Sequence, residues 1–156
     1  MQELVKLLKE KQLTIGSIES MTGGLFASTI TSIPGVSQVY KGSVVSYAIE
    51  EKVNFVGVHK KAIDKYGVVS KEVALEMAKY GAKTLNVDVC VSVTGNAGPT
   101  VEPGGKPVGE IHLGLCIKGL LFHKQISLKG DRNHIRSMCV EEMESFVLTS
   151  LNSEAL

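Results

Sequence analysis

One run of the chain, Val87 to Val93, constrains everything around it. It is nearly continuous in apolar residues. A strand of that kind has to be covered on both faces, as a central strand is when helices pack above and below a sheet. It ends in a glycine loop, Thr94-Gly95-Asn96-Ala97-Gly98-Pro99. The helix before it starts after Ser70, a good N-cap, and runs to about Leu85. Its inner face is Val73, Ala74, Met77, Ala78, Gly81 and Ala82, side chains small enough to let the helix lie close on the sheet.

The rest of the chain alternates in the same way. Leu4, Val5, Leu7 and Leu8 recur at helical spacing within Glu3 to Lys11. Leu13 to Ile18 reads as a strand and Leu25 to Ile33 as a helix, broken by Pro34 and Gly35. Val39 to Ala48 is rich in β-branched and aromatic residues and reads as a strand. Ile49 to Phe55 is expected to make one or two helical turns, and Lys60 to Tyr66 a short helix. Val108 to Ile117 and Leu120 to Leu128 form a hairpin across Lys118-Gly119, of a turn type that the pair does not specify. Gly130-Asp131 caps a last helix, Arg132 to Leu151, with the stripe Ile135, Met138, Cys139, Met143, Phe146 and Val147. Helices alternating with strands, then a late hairpin, predict a three-layer α/β/α single domain over residues 1–156 with a mixed, mostly parallel sheet.

Charge and cysteine usage narrow the function. Seventeen basic and sixteen acidic residues are interspersed, for a net charge of +1, so no basic face for nucleic acid is indicated. Trp is absent and aromatics make up only 5%, which weakens base stacking as well. Cys90, Cys116 and Cys139 lie far apart inside apolar runs, the pattern of buried thiols in a reducing, cytoplasmic setting. The charged first turns are unlike a signal peptide, and no apolar run has the length to span a bilayer. The apolar-rich hairpin suggests self-association, and a homodimer is expected.

Three glycine-bearing turns each follow a strand: Ser20 to Gly24, Thr94 to Gly98, and Gly130 to Arg132. In an open α/β sheet, ligands gather at the carboxyl ends of strands. The Ser20-Met21-Thr22-Gly23-Gly24 turn opens a helix, so it can cradle a phosphate or present a nucleophile beside an oxyanion site. Its residues alone do not choose. GxxxxGK[ST], GxSxG and SxxK are all absent. His112 and His123 are expected as diagonal neighbours on one hairpin face, and two imidazoles without a third ligand are a weak metal signal. Tyr47 ends a strand and Lys52 follows in the next helical turn. A lysine folded back into a partly desolvated site loses its proton near neutral pH and can activate a serine. A positive charge at the start of the last helix is locally unfavourable, so Arg132 calls for an anionic partner.

Together these motifs resemble the CinA C-terminal domain family. Glu19-Ser20-Met21-Thr22-Gly23-Gly24 is similar to its ESCTGG motif, and Tyr47 with Lys52 to its TYSNEAK-like segment. Gly67 to Val73 resembles GAVSEEV, and Thr94 to Pro99 resembles TGIAGP. Lys106-Pro107-Val108-Gly109 and Gly130-Asp131-Arg132 match as well, in order over about Leu4 to Leu151. The resemblance implies a nicotinamide-nucleotide amidohydrolase without metal or cofactor, releasing ammonia from the carboxamide of nicotinamide mononucleotide. It places the nucleophile on Ser20, the general base on Lys52 and a supporting role on Tyr47. Substrate contacts fall on Thr22, Gly23, Gly24, Thr94, Gly95, Asn96, Ala97, Gly98 and Arg132, with the N–H groups near Gly23 and Gly24 as oxyanion donors. Three positions depart from the family pattern: Met21 for Cys, Ile49 for Asn and Asn96 for Ile. They keep two alternatives open, a member that binds a nucleotide or a protein partner without turnover, and an amidase on a different small amide.

Overall fold

Strand β1 (Ile15–Glu19) is buried along its whole length, because it has strands on both edges and helices on both faces. The computed structural model describes residues 1–153. Its five-stranded sheet has the order β2-β1-β3-β4-β5, with β2 at Tyr40–Val45, β3 at Val89–Gly95, β4 at Glu110–Ile117 and β5 at Leu120–Ser127. β1 runs parallel to both β2 and β3. β4 runs antiparallel to β3 and to β5. Four strands therefore point one way and β4 alone opposes them, the expected mixed and mostly parallel arrangement. The carboxyl ends of β1, β2, β3 and β5 lie along the same side of the sheet.

Alternation along β3 divides the core. Val89, Val91 and Val93 face a layer made by α1 (Gln2–Glu10), α2 (Leu25–Thr31) and α6 (Arg132–Asn152), packed around Leu8, Phe26, Met143 and Val147. Cys90 faces the other way, with Ile18 and Cys116, onto α4 (Lys60–Tyr66) and α5 (Lys71–Leu85) through Ile63, Val73, Met77 and Ala78. The sheet is thus covered on both faces, as the apolar run requires. The small residues of α5 allow a very close approach. A Cβ on Gly114 would lie 2.1 Å from the Ala74 carbonyl oxygen, and one on Gly81 would lie 2.2 Å from Ile18 Cγ1. Ser70 caps α5 through Val73 N–H, and Asp131 caps α6 through His134 N–H. Burial pushes the Cys90 and Cys139 thiols up, away from the reactive thiolate.

Several boundaries move. β2 stops at Val45 rather than Ala48, because the chain turns there to bring the Ser46 and Tyr47 carbonyls inward. β3 continues to Gly95, paired with Ile111. Lys118 and Gly119 both have positive φ, 47° and 88°, which makes the hairpin turn type I′. The segment after β2 is a short α turn, α3 (Ile49–Glu51), running into a π-helical turn over Lys52–Val56. The Gly57 N–H closes that turn onto the Lys52 carbonyl, five residues back. Such single π turns are frequent at functional sites. No helix among the described residues is long and apolar enough to cross a membrane.

Candidate active site

The site is built at the end of β1. After Glu19 the chain makes the Ser20–Gly24 turn, and Gly23 and Gly24 take φ of 59° and 96°. That left-handed backbone is why two glycines open α2. The turn is stabilised from below by Glu19, which is fully buried. Its Oε1 accepts from Thr22 Oγ1 at 2.8 Å, Gly24 N–H at 3.1 Å and Phe26 N–H at 3.0 Å. Its Oε2 accepts from Ala27 N–H at 3.0 Å and Ser17 Oγ at 3.3 Å. The carboxylate therefore satisfies the positive end of α2.

This overturns one expectation. Gly23 and Gly24 cannot serve as free oxyanion donors, because the Gly23 N–H donates to the Ser20 carbonyl and the Gly24 N–H to Glu19. Thr22 is likewise buried, with its hydroxyl donated to Glu19. Among the described residues, the N–H groups of Met21 and Thr22 donate to no other group.

Lys52 folds back over the turn. Although a lysine, it is 1% exposed. Its Nζ donates to Ser20 Oγ at 2.9 Å, to the Tyr47 carbonyl at 3.0 Å and to the Ser46 carbonyl. No carboxylate pairs with it among the described residues. Burial lowers its pKa from 10.5 to about 8, since desolvation penalises the ammonium form. Ser20 is itself 9% exposed. The Ser46 side chain is buried beside them, and its hydroxyl has no partner among the described residues.

Tyr47 enters differently from a side chain that touches the dyad. Its carbonyl holds Lys52, while its ring is 59% exposed and its hydroxyl accepts from Arg132 Nη2 at 3.0 Å. Arg132 Nη1 donates to the Gly98 carbonyl at 2.7 Å. Arg132 thus straps the Thr94–Gly98 loop to the segment that carries Lys52. It also borders a cavity of about 840 Å3 whose wall comes mostly from residues 95–106, with Lys65, Tyr66 and the following turn opposite. Gly95, Asn96 and Gly98 line that cavity. Thr94 and Ala97 do not. Thr94 is buried with its hydroxyl donated to the Val68 carbonyl, and Ala97 is buried in the core.

Arg136 was not singled out by its sequence. Its Nε donates to the Met21 carbonyl at 3.0 Å and its Nη2 to the Thr22 carbonyl at 2.9 Å. It fixes the backbone that follows Ser20. The available signal was its spacing, one helical turn after Arg132 on the same side of α6. The two histidines do meet, as diagonal neighbours: His112 Nδ1 lies 3.0 Å from His123 Nε2, and His112 Nε2 lies 2.9 Å from Glu110 Oε1.

Comparison with known proteins agrees with the motifs that carry this geometry. The family model described as the CinA C-terminal domain matches residues 1–151. The chain belongs to the CinA C-terminal domain family. A CinA-like protein of Kosmotoga olearia is 43% identical over 148 residues, covering 95% of this chain and 36% of that protein. A CinA-like protein of Dictyoglomus thermophilum is 44% identical over 133 residues, covering 85% of this chain and 32% of the relative. The CinA-type chain described here therefore spans about a third of the length of the curated relatives it matches. Among solved structures, the competence/damage inducible protein CihA of Agrobacterium tumefaciens superposes with a TM-score of 0.91 at 30% identity, covering 97% and 93% of the two chains. A competence or damage-inducible protein from Enterobacter asburiae superposes at 0.94 with 22% identity, covering 97% and 95%, and shares the fold.

Proposed function

We propose that the chain is an amidohydrolase that cleaves the carboxamide of nicotinamide mononucleotide, through an acyl-enzyme on Ser20 with Lys52 as the base. The observation that carries this reading is the buried Lys52 Nζ, 2.9 Å from Ser20 Oγ and without a carboxylate partner. A structural lysine would be expected to reach water or an acid. This one reaches a serine and two carbonyls. When it loses its proton, the carbonyls of Ser46 and Tyr47 take its two remaining N–H bonds, and its lone pair faces Ser20 Oγ.

The steps follow from that geometry. Ser20 Oγ attacks the carboxamide carbon while its proton passes to Lys52. The N–H groups of Met21 and Thr22 are the available donors to the oxyanion, as the N–H after the nucleophile is in other serine hydrolases. As the C–N bond breaks, the Lys52 ammonium returns the proton to the departing amine, which leaves as ammonia. Water then adds to the ester with Lys52 again taking its proton. The ester C–O bond breaks, Ser20 regains its proton, and nicotinate mononucleotide is released. Arg132 keeps N–H groups beyond its bonds to Gly98 and Tyr47. With the cavity it borders, it offers a place for the anionic tail of the substrate.

The test is ammonia release from nicotinamide mononucleotide by the wild type, Ser20→Ala and Lys52→Ala. Both variants are expected to lose activity by at least about a thousandfold, as nucleophile and base act as a unit. Equal background release in all three would sink this reading. Binding without turnover would support a non-catalytic member of the family, and Ser20-dependent release from another carboxamide would support an altered substrate.

A further inference from the structure

Asn96 stands where the resembled TGIAGP motif has isoleucine, yet every hydrogen-bonding atom of its side chain is engaged. Its Oδ1 accepts from the Gly98 N–H at 2.8 Å. Its Nδ2 donates to the Thr100 carbonyl at 3.1 Å and to the Lys106 carbonyl at 3.0 Å. Those carbonyls sit at the two ends of the polar loop that forms much of the cavity wall. The backbone of Asn96 is anchored in turn, its N–H donating to the Glu110 carbonyl at 3.1 Å and its carbonyl accepting from Gly109 N–H at 2.7 Å. One side chain thus ties both ends of the loop to the start of β4.

We infer that Asn96 is a positioning residue, latching the Thr100–Lys106 rim of the cavity and aiming the Gly98 carbonyl at Arg132, and so selecting which substrate tails fit beside the dyad. The chemistry is specific to a primary amide. Only a side chain with one acceptor and two N–H donors on a short stem makes all three bonds. Isoleucine is bulkier and makes none. From Gly98 the arrangement passes to the site through bonds already described: the Gly98 carbonyl holds Arg132, Arg132 holds the Tyr47 hydroxyl, and the Tyr47 carbonyl holds Lys52. Neither Ser20 nor Lys52 lines the cavity that the rim borders, so losing the latch changes how a ligand tail is held more than how the amide reacts.

The kinetic part of this inference rests on the amidohydrolase reading, and the exchange part does not. Asn96→Ala and Asn96→Ile are compared with the wild type by amide hydrogen exchange and by ammonia release. In both variants the hydrogen-bonded amides of the loop, Gly98 on the Asn96 side chain and Gly105 on the Glu102 carbonyl, are expected to exchange about tenfold faster, with β3 and β4 unchanged. For nicotinamide mononucleotide, KM is expected to rise about tenfold with kcat within about twofold, the pattern of lost binding without lost transition-state stabilisation. Nicotinamide riboside, which lacks the phosphate tail, is expected to change little. Unaltered exchange at Gly98 and Gly105 would overturn the latch. Faster exchange with an equal loss on both substrates would overturn its role in selecting the tail. If the wild type releases no ammonia, the amidohydrolase reading fails, and exchange still decides whether Asn96 holds the rim.

Discussion

Lys52→Met is expected to abolish amide hydrolysis and to make the protein more stable. The two effects have one cause. Lys52 is buried without a carboxylate, and burial lowers its pKa from 10.5 to about 8. Its folded-state value lies below the unfolded one, so the unfolded chain binds the proton more tightly. Between about pH 8 and 10.5 stability therefore rises with pH, and below pH 8 the full penalty is present. The difference corresponds to roughly 3 kcal/mol at neutral pH. Methionine keeps most of the length and volume of the side chain without the charge. Thermal unfolding at pH 7 should show a higher Tm for Lys52→Met, and the gain should shrink as pH is raised towards 10.5. Ammonia release should fall by about a thousandfold or more, since no base remains at Ser20. A variant that is both inactive and less stable at pH 7 would mean that the three bonds from Nζ outweigh the cost of burying it, and that Lys52 is structural.

Glu19→Ala carries the opposite sign and is expected to be among the most destabilising single changes. It leaves the N–H groups of Gly24, Phe26 and Ala27 and the Thr22 hydroxyl without their acceptor at a fully buried carboxylate, while the Ser17 hydroxyl keeps Ser43 Oγ as a partner. Each buried donor left unpaired costs about 1–3 kcal/mol, and together a loss of at least about 3 kcal/mol is expected. Denaturant unfolding measures it as a lower midpoint with an unchanged slope. Glu19→Gln keeps one acceptor oxygen and should fall between. The Ser20 turn is shaped by this carboxylate, so activity should drop with the fold in Glu19→Ala. A stability within about 0.5 kcal/mol of wild type, the range of an ordinary surface change, would contradict the account of how the turn is held.

The contrast between these two residues shows what the amino-acid sequence made legible. The layers could be read because they follow from side-chain patterning. The Val87 to Val93 run demands cover on both faces, and the small residues of α5 demand close approach, down to the Gly114–Ala74 contact. Ser70 and Asp131 were legible as caps for the same local reason. The pairing of Lys52 with Ser20 was legible only as a possibility that the family motifs singled out. Their separation of 32 residues is closed by the early end of β2 and the π turn, and neither leaves a periodic signal.

Glu19 illustrates the remaining gap. Several N–H groups at a helix start read equally well as a ligand site or as donors already taken by a nearby carboxylate. The choice depends on where the Glu19 side chain points, which sequence does not encode locally. Arg136 was obscure for a similar reason, since it acts by holding backbone carbonyls far away in sequence, and Asn96 was legible as a departure from the family pattern but not as the holder of the Thr100 and Lys106 carbonyls. Lys118 adopts a positive φ with nothing in its residue type to announce it.

The central claim is that burial holds Lys52 poised to lose its proton next to Ser20. The most direct measurement is an NMR titration of the Lys52 side chain, in protein carrying lysine labelled at Cε and Nζ, with Lys52→Met providing the assignment. The account predicts a midpoint near pH 8 for that one lysine, matched by the rising limb of kcat/KM against pH. A Lys52 midpoint at the ordinary lysine value of 10.5 would contradict it.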